Sequence, residues 1–363
     1  MSATVRWGIA GTGFVAGLFA KGLDDAPGAR LVAVASRQRS RAEAFAARFG
    51  VPNAHGSYDE LAGDREVDVV YVATPHSEHR PNALLMLDAG KAVLCEKPFS
   101  LDANEAREII ALARKKGVFC MEAMWTRFLP AAVELVDRVR GGELGEVQSA
   151  TFELGHPFAM DPTHRLFNPA LGGGALLDLG VYGVSFGVWL FGPPGTVQSQ
   201  VLIGSSGVDE HVAAILGHPG GRQSLIAASL RTRLSNGASI AGTEGWGRLQ
   251  EPLYRPPAFS IVHAPRQPLV RTSHESDPSG PAGARGWIDR AIRALRLAAA
   301  SWASRTEPGW IARPYRGNGY GYQAVEVIRC MRAGLLESPV MPLDESLVIM
   351  DALDAIRKNW KVL

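Results

Sequence analysis

The chain has 363 residues, of which 46% are hydrophobic and 20% are charged, a composition typical of globular proteins. This length exceeds what one hydrophobic core usually serves, so we expect two domains. The net charge of +2 gives no electrostatic basis for binding nucleic acid, and no uninterrupted apolar run of 18 residues predicts a membrane span. We therefore expect neither a nucleic acid nor a membrane as the partner.

The cysteines and the N-terminus indicate the compartment. Cys95, Cys120 and Cys330 are odd in number and widely spaced, and two of them lie in apolar runs. This pattern predicts buried, reduced thiols rather than disulfides, and the spacing does not fit a metal site. Residues 1–6 lack the apolar core of a signal peptide, so we expect a cytoplasmic protein.

The first predicted strand, Val5–Ala10, runs directly into a glycine-rich turn of the pattern G-x-G-x-x-A. The first glycine permits the tight turn, the second lets backbone N–H groups approach a pyrophosphate, and Ala16 allows close helix packing. A plain strand–helix turn is the alternative, but the flanking strand and the helix at 14–23 favour dinucleotide binding. The predicted cofactor residues here are Gly11, Thr12, Gly13, Phe14 and Val15.

The second predicted strand, at 31–35, should end beside the cofactor ribose. An NAD enzyme places Asp or Glu there to bind the 2′-hydroxyl, but this chain continues with Ser-Arg-Gln-Arg-Ser-Arg. A hydroxyl and guanidinium groups suit a 2′-phosphate, because Arg binds phosphate in a planar fork. A solvated helix start is the alternative. We expect Ser36, Arg37 and Arg39 to bind NADP in preference to NAD.

Strand-like and helix-like segments then alternate through the first third of the chain. They are helix 41–49, a short strand near 54, a helix from 57, strand 67–72, helix 77–89, strand 92–95, helix 104–116 and strand 118–121. Alternation of this kind predicts a doubly wound parallel sheet, and we assign it to a dinucleotide-binding Rossmann domain at 1–123.

Two of these strands end in polar motifs. The strand at 67–72 leads to Thr74, Pro75 and His79, and the strand at 92–95 ends in Glu96-Lys97-Pro98. Pro98 lacks an N–H group and stops the strand, which leaves Lys97 at the carboxyl edge of the sheet, where ligands bind. A solvated charge is the alternative reading of Lys97.

Gly11-Thr12-Gly13, Ala73-Thr74-Pro75 with His79, and Glu96-Lys97-Pro98 together resemble the glucose–fructose oxidoreductase / inositol dehydrogenase (Gfo/Idh/MocA) family. The resemblance implies a Rossmann domain followed by a C-terminal domain with an open, mostly antiparallel sheet that commonly forms the oligomer interface. It implies that Thr74, Pro75, His79, Glu96 and Lys97 face the cofactor. A homodimer or homotetramer is expected.

The remaining residues, 124–363, are predicted to form this second, α+β domain. Strands are expected at 146–155, 197–203, 211–216, 223–231, 238–241 and 246–250, and helices from about 175, over 317–332 and over 344–358. An insertion at about 272–312 contains a basic amphipathic segment at 287–302. We interpret this segment as a helix with a solvated Arg face rather than as a membrane-surface or partner helix.

Met121–Pro130 resembles the dihydrodiol dehydrogenase and D-xylose dehydrogenase branch of the family, which implies that Trp125 and Arg127 border the substrate. Interdomain packing is the alternative for Trp125. Asp178 and Tyr182 are four residues apart on one helix face. Without the resemblance, a helix-front carboxylate and a core tyrosine would explain them. Many relatives carry His where this chain has Tyr182, and the branch with Tyr uses it for proton transfer.

These observations predict an NADP-dependent dehydrogenase that moves a hydride between the cofactor and an aldose C1 or a cyclic diol carbon. Tyr182 would transfer the hydroxyl proton, and Lys97 would lower its pKa from the ordinary ~10. Asp178 would orient substrate hydroxyls, and Glu96 the cofactor side. The alternatives are a sugar-modifying ketoreductase of secondary metabolism and a non-catalytic NADP-binding sensor.

Overall fold

The computed structural model describes residues 4–264 and 309–363, which form two sheets. The first sheet has six strands: β1 Val5–Ala10, β2 Ala29–Ala35, β3 Asn53–His55, β4 Val69–Val72, β5 Ala92–Glu96 and β6 Cys120–Ala123. Its helices are α1 Phe14–Gly22, α2 Arg39–Phe49, α3 Tyr58–Gly63, α4 His79–Asp88 and α5 Ala103–Lys116. The strand order is β3-β2-β1-β4-β5-β6 and every pairing is parallel, which confirms the Rossmann arrangement.

The strand order reverses between β1 and β4: β2 and β3 are added on one side of β1, and β4 to β6 on the other. Such a switch point leaves a crevice at the carboxyl ends of the two central strands. Strands β4 and β5 are buried throughout, as expected when helices cover both faces of a parallel sheet. Tyr71 on β4 stacks on Phe19 of α1 with ring centroids 3.8 Å apart, which packs that helix against the sheet beside the crevice.

The last strand of this sheet begins two residues later than predicted. Gly117 ends α5 in the left-handed conformation, and the N–H of Val118 still bonds to Ala113 at the end of that helix. The chain is therefore still turning at 118, and β6 runs over Cys120–Ala123.

The second sheet has nine strands, and four α-helices lie in the described residues 124–264 and 309–363. Its strands are β7 Val147–Gly155, β8 Thr196–Ile203, β9 Asp209–Gly217, β10 Gln223–Ser229, β11 Ala238–Gly242, β12 Gly245–Leu249, β13 Ala258–His263, β14 Ile311–Ala312 and β15 Trp360–Val362. The helices are α6 Pro130–Arg140, α7 Val181–Phe191, α8 Gly321–Arg332 and α9 Leu343–Asn359. The strand order is β14-β13-β12-β11-β7-β10-β9-β8-β15.

This sheet is mostly antiparallel, as predicted, but β7 pairs with β10 and β8 pairs with β15 in parallel. Three strands, β13 to β15, were not predicted; β14 and β15 have two and three residues, too few to show an alternating pattern. Strand β14 lies inside the predicted insertion at 272–312. The part of that insertion before residue 309 lies outside the described residues, and this part includes the amphipathic segment at 287–302.

The segment Pro169–Phe191, which includes α7, is long and apolar enough to cross a membrane, with a mean hydropathy of 1.5. Of its most apolar 18-residue window, 94% is instead buried within the fold, where α7 packs against β7, β10 and α9. An all-round apolar helix of this kind belongs in a protein core. The opposite face of the sheet is more exposed: on the central part of β9, Ile215 is 43% exposed.

Candidate active site

A cavity of about 660 Å³ lies at the crevice beside the carboxyl ends of β1, β4 and β5. Of the predicted cofactor residues, all but Arg39 line it: Gly11, Thr12, Gly13, Phe14, Val15, Ser36, Arg37, Thr74, Pro75, His79, Glu96 and Lys97. The second domain contributes Asp178 and the loop residues Phe158, His164, Arg165 and Leu166. The two domains therefore form one continuous cavity wall.

The glycine-rich turn has the backbone that a bound phosphate requires. Gly11 has φ +112°, and a Cβ there would lie 2.6 Å from the carbonyl oxygen of Ala73. At Gly13, which lines the cavity, a Cβ would meet no protein atom within 4 Å. The space beside this backbone is therefore open toward the cavity. Helix α1 begins directly after this turn, and its first N–H groups have no partner within the helix. The turn thus fits the pyrophosphate of a dinucleotide.

The basic residues after β2 are placed differently from the prediction. Arg39 points away from the cavity, because its guanidinium donates to the carbonyl of Ala54 (3.2 Å) and to Glu60 (2.7 Å). Arg37 lines the cavity, as predicted from the sequence. Arg41 also lines it, although it was not among the residues predicted to bind the cofactor. Arg39 therefore does not reach the cavity in this structure, whereas Arg37 and Arg41 do.

Lys97 and Asp178 form an ion pair on the cavity wall. The Lys97 ammonium donates to the carbonyl oxygen of Asp178 at 2.6 Å and to its Oδ1 at 3.3 Å. Arg165 donates to the same Oδ1 at 2.9 Å. Although burial disfavours the charged carboxylate, these two cations hold the pKa of Asp178 below its usual range. Asp178 is therefore ionised at neutral pH.

Tyr182 lies behind this pair and is not itself part of the cavity wall. Its hydroxyl accepts a hydrogen bond of 3.0 Å from Nε1 of Trp125, and its ring centre lies 4.9 Å from the Lys97 ammonium. Burial raises the pKa of Tyr182 well above 10. The expected lowering of this pKa by Lys97 is thus not found here, because Lys97 faces the ring and bonds to Asp178 rather than to the phenol.

Trp125 and Arg127 lie on a short 3₁₀ helix, Trp125–Phe128, where the chain passes between the domains. Trp125 contacts Tyr182, as described above. Arg127 is 1% exposed and is absent from the cavity wall, with its guanidinium bonded to Ser185 and Glu345. Arg127, which was expected to border the substrate, is therefore a buried cation that does not reach this cavity.

Glu96 and two histidines complete the polar lining. Tyr71 donates a hydrogen bond to Glu96, whose pKa is raised by burial. His76 lies with Nδ1 2.8 Å from the Gly172 carbonyl, and burial lowers its pKa to about 3. His79 lies between the carbonyls of Pro98 and Thr74, and burial lowers its pKa to about 4. Both imidazoles are therefore neutral at pH 7.

An aromatic cluster surrounds Tyr182 on the second-domain side. Trp125 stacks on Tyr320 with ring centroids 4.3 Å apart and faces Tyr254 at 6.1 Å. Tyr254 in turn lies 5.9 Å from the ring of Tyr182. We define Trp125, Tyr182, Tyr254 and Tyr320 as the aromatic cluster. None of its four side chains lines the cavity, and Trp125, Tyr182 and Tyr320 are buried.

Several of these residues were missed from the sequence, namely Arg41, His76, Arg165, Tyr254 and Tyr320. Arg165 and Tyr254 lie in segments without periodicity, so no pattern marks their side-chain direction. The one available signal was the position of Arg165 in the aperiodic stretch 156–169 before the helix of Asp178. Within residues 4–264 and 309–363, no three His, Cys, Asp or Glu side chains are grouped so as to hold a metal.

Comparison with known proteins identifies the family of this chain and solved structures with a similar fold. Residues 5–124 match the Gfo/Idh/MocA oxidoreductase family model with an NAD-binding Rossmann fold, and residues 133–248 match the C-terminal domain of the same family. The fold is similar to a 3-ketoreductase from Actinomadura kijaniata in complex with NADP and TDP-benzene (TM-score 0.80, 22% identity, 99% of each chain). It is also similar to an aldose–aldose oxidoreductase from Caulobacter crescentus complexed with glycerol (TM-score 0.78, 23% identity, 98% of this chain and 97% of that one).

Sequence relatives span the whole chain. The trans-1,2-dihydrobenzene-1,2-diol dehydrogenases of Bos taurus and Mus musculus are both 37% identical, and that of Homo sapiens is 36% identical. Each alignment covers 98% of this chain and 96% of the relative. The chain therefore belongs to the Gfo/Idh/MocA family of NAD(P)-dependent oxidoreductases.

Proposed function

We propose that this protein is an NADP-dependent dehydrogenase that acts on a CH–OH carbon of a cyclic diol or of a sugar at C1. The observation that carries the proposal is the layout of one cavity. One end has a phosphate-binding turn and two arginines, and the other has the Lys97–Asp178 pair beside the aromatic cluster. The 36–37% identity to dihydrodiol dehydrogenases over the full length supports a cyclic diol substrate.

The cofactor would lie along the Rossmann side of the cavity, with its pyrophosphate at Gly11–Gly13. When bound, it supplies or accepts the hydride. Arg37, Arg41 and the hydroxyl of Ser36 suit a 2′-phosphate, because the carboxylate that would bind a ribose 2′-hydroxyl is replaced by donors. We therefore propose a preference for NADP over NAD.

The chain's own residues would handle the proton and hold the substrate. The high pKa of Tyr182 keeps its phenol protonated, so the hydroxyl is a proton donor to a carbonyl oxygen being reduced. In the oxidising direction the step needs Tyr182 as its phenolate, after loss of the phenol proton to solvent, and this phenolate would take the hydroxyl proton of the substrate; a cation brought beside the phenol oxygen, such as Lys97 once it exchanges a contact, would favour that form. Lys97 would polarise the reacting oxygen from the opposite side, and Asp178 would accept a hydrogen bond from a neighbouring substrate hydroxyl while balancing the charges of Lys97 and Arg165.

Substrate access requires a shift at this pair. The Lys97 ammonium now bonds to Asp178 and faces the Tyr182 ring, so a substrate oxygen would replace one of these contacts. Catalytic hydrogen bonds are often long or misaligned before the substrate binds.

The test is NADPH formation with a panel of cyclic trans-diols and aldoses, and NADPH consumption with nucleotide-linked keto sugars. The proposal expects turnover with the first panel that is lost in Tyr182→Phe. Turnover only with keto sugars would favour a sugar-modifying ketoreductase. Tight NADP binding with no turnover on either panel would favour a non-catalytic NADP sensor.

We further propose that two copies associate through the exposed face of the second sheet, and that the protein works in the cytoplasm. Ile215 on β9 supports the first proposal, and the three free, buried thiols support a reducing compartment. Light scattering of wild type and Ile215→Lys tests the interface: the variant should dissociate while Val325→Lys, which changes a similarly exposed residue on α8, should not. Cell fractionation tests the compartment.

A further inference from the structure

Two adjacent sets of hydrogen bonds join the short helix Trp125–Phe128 to one turn of α7. In the first, Nε1 of Trp125 donates to the hydroxyl of Tyr182 at 3.0 Å. In the second, Arg127 donates from Nε to the Ser185 hydroxyl at 2.9 Å and from a terminal nitrogen to the Ser185 carbonyl at 2.8 Å. Tyr182 and Ser185 are three residues apart and so share a helix face.

Arg127 is held tightly on its remaining sides. Its other terminal nitrogen bonds to Glu345 on α9, and its guanidinium lies 5.4 Å from the centre of the Trp189 ring. The side chain is 1% exposed and does not reach the cavity. Each of the three guanidinium nitrogens therefore has an acceptor, and because the charge is buried, a displacement that breaks one of these bonds leaves a donor unpaired.

We propose that Arg127 is a positioning residue that fixes the hydroxyl of Tyr182 for proton transfer. It would act through Ser185, by holding α7 at the distance from the short helix at which Trp125 can reach the phenol. This inference rests on the proposed role of Tyr182. Misplacement of a reacting group by about 1 Å can cost on the order of 10²-fold in rate, so a clamp one helical turn away is sufficient to matter.

The inference is tested with two variants that weaken the clamp to different degrees. Arg127→Lys keeps the charge but cannot donate to Ser185 and Glu345 with a planar fork. Ser185→Ala removes the hydroxyl that accepts from Arg127 and keeps the bond from Arg127 to the carbonyl of residue 185. Because this change is small, the variant should fold even if Arg127→Lys does not. We expect kcat to fall by about 10–100-fold in Arg127→Lys and less in Ser185→Ala, with unchanged affinity for NADP.

The matched control is Arg114→Lys. Arg114 also bonds to two carboxylates, Glu337 and Asp344, but it is exposed and remote from α7. Its variant should keep full kcat. Thermal unfolding of each variant identifies an assay temperature at which all variants are folded. A decrease in activity at that temperature then does not result from unfolding.

The deciding measurement repeats both substitutions in a Tyr182→Phe background. A positioning role predicts that neither lowers the residual kcat further, and that in the wild-type background both move the pH–rate profile. Equal losses with and without the phenol, or normal kcat and pH profile in both single variants, would overturn the inference while leaving Tyr182 catalytic. Normal turnover in Tyr182→Phe alone would instead overturn the proposed role of Tyr182, and with it this inference.

Discussion

The Lys97 ammonium and Asp178 meet through two hydrogen bonds, at 2.6 Å to the backbone oxygen and 3.3 Å to the carboxylate. Lys97 directly follows β5 in the first domain, whereas Asp178 belongs to a π-helical turn, Leu176–Gly180, that directly precedes α7 in the second. The pair therefore ties the two domains at the cavity wall. An irregular turn of this kind inside a helix often marks a functional site.

Replacing Lys97 by Met should lower kcat by about 10²–10⁴-fold, because the ammonium is the nearest cation able to polarise the reacting oxygen. The affinity for NADP should change less, since the phosphate-binding turn is untouched. Steady-state kinetics and a cofactor titration measure the two effects. Lys116→Met, which changes an exposed lysine paired with Asp88, is the control and should behave as wild type. Undiminished kcat in Lys97→Met would exclude it from the chemistry.

Lys97 and Tyr182 should act as one unit. Tyr182→Phe removes the proton donor and should cost about 10²–10⁴-fold in kcat, while NADP affinity stays nearly intact. The double variant Lys97→Met/Tyr182→Phe should be little worse than the worse single variant, because groups in one step are non-additive. If the fold-decrease in kcat of the double variant equals the product of the two single decreases, the two residues serve separate steps. If Tyr182→Phe keeps its pH profile, His156 and His164 near the cavity become the next candidates.

Cofactor preference should depend on Arg37 and Arg41 but not on Arg39. Each charge-assisted hydrogen bond to a phosphate contributes about 1.5–3 kcal/mol, so Arg37→Ala and Arg41→Ala should each weaken NADP binding by roughly 10–100-fold. Binding of NAD should barely change. Arg39→Ala is the internal control, because its side chain bonds to Ala54 and Glu60 instead. Titration against tryptophan fluorescence measures all three; equal loss of both cofactors would contradict a 2′-phosphate site.

Glu122 should make the folded state less stable as the pH rises. Its carboxylate is fully buried on β6, with neither oxygen in hydrogen-bond geometry, and burial raises its pKa from 4.5 to about 7. Between these values the folded state keeps a proton that the unfolded state has lost. The stability from this group is therefore fully present below pH 4.5 and is lost by the time the pH has risen past 7.

Glu122→Gln removes this titration and should raise the free energy of unfolding at pH 8 by roughly 1–3 kcal/mol, with little change near pH 4.5. Urea unfolding of wild type and variant at both pH values gives the comparison. Glu66→Gln, at an exposed carboxylate, should leave the pH dependence as in wild type. A parallel pH dependence in Glu122→Gln would show that this carboxylate is not the source.

Local patterns in the sequence were enough to predict the Rossmann sheet, the phosphate-binding turn and the place of Lys97. Each depends on neighbours in the chain: a strand must precede Gly11, a helix must follow it, and Pro98 must end the strand that carries Lys97. The family resemblance added Asp178 and Tyr182, which share a helix face whatever that helix packs against.

Only the tertiary structure decided which of the similar side chains reach the cavity. Arg39 and Arg41 differ by two positions at one helix start, and the separation turns Arg39 toward Glu60 and leaves Arg41 at the cavity. Likewise Trp125 reaches Tyr182, whereas Arg127 is enclosed by Ser185 and Glu345. These partners lie up to 218 residues away in the chain. Their selection follows from close packing between domains, which no local periodicity encodes.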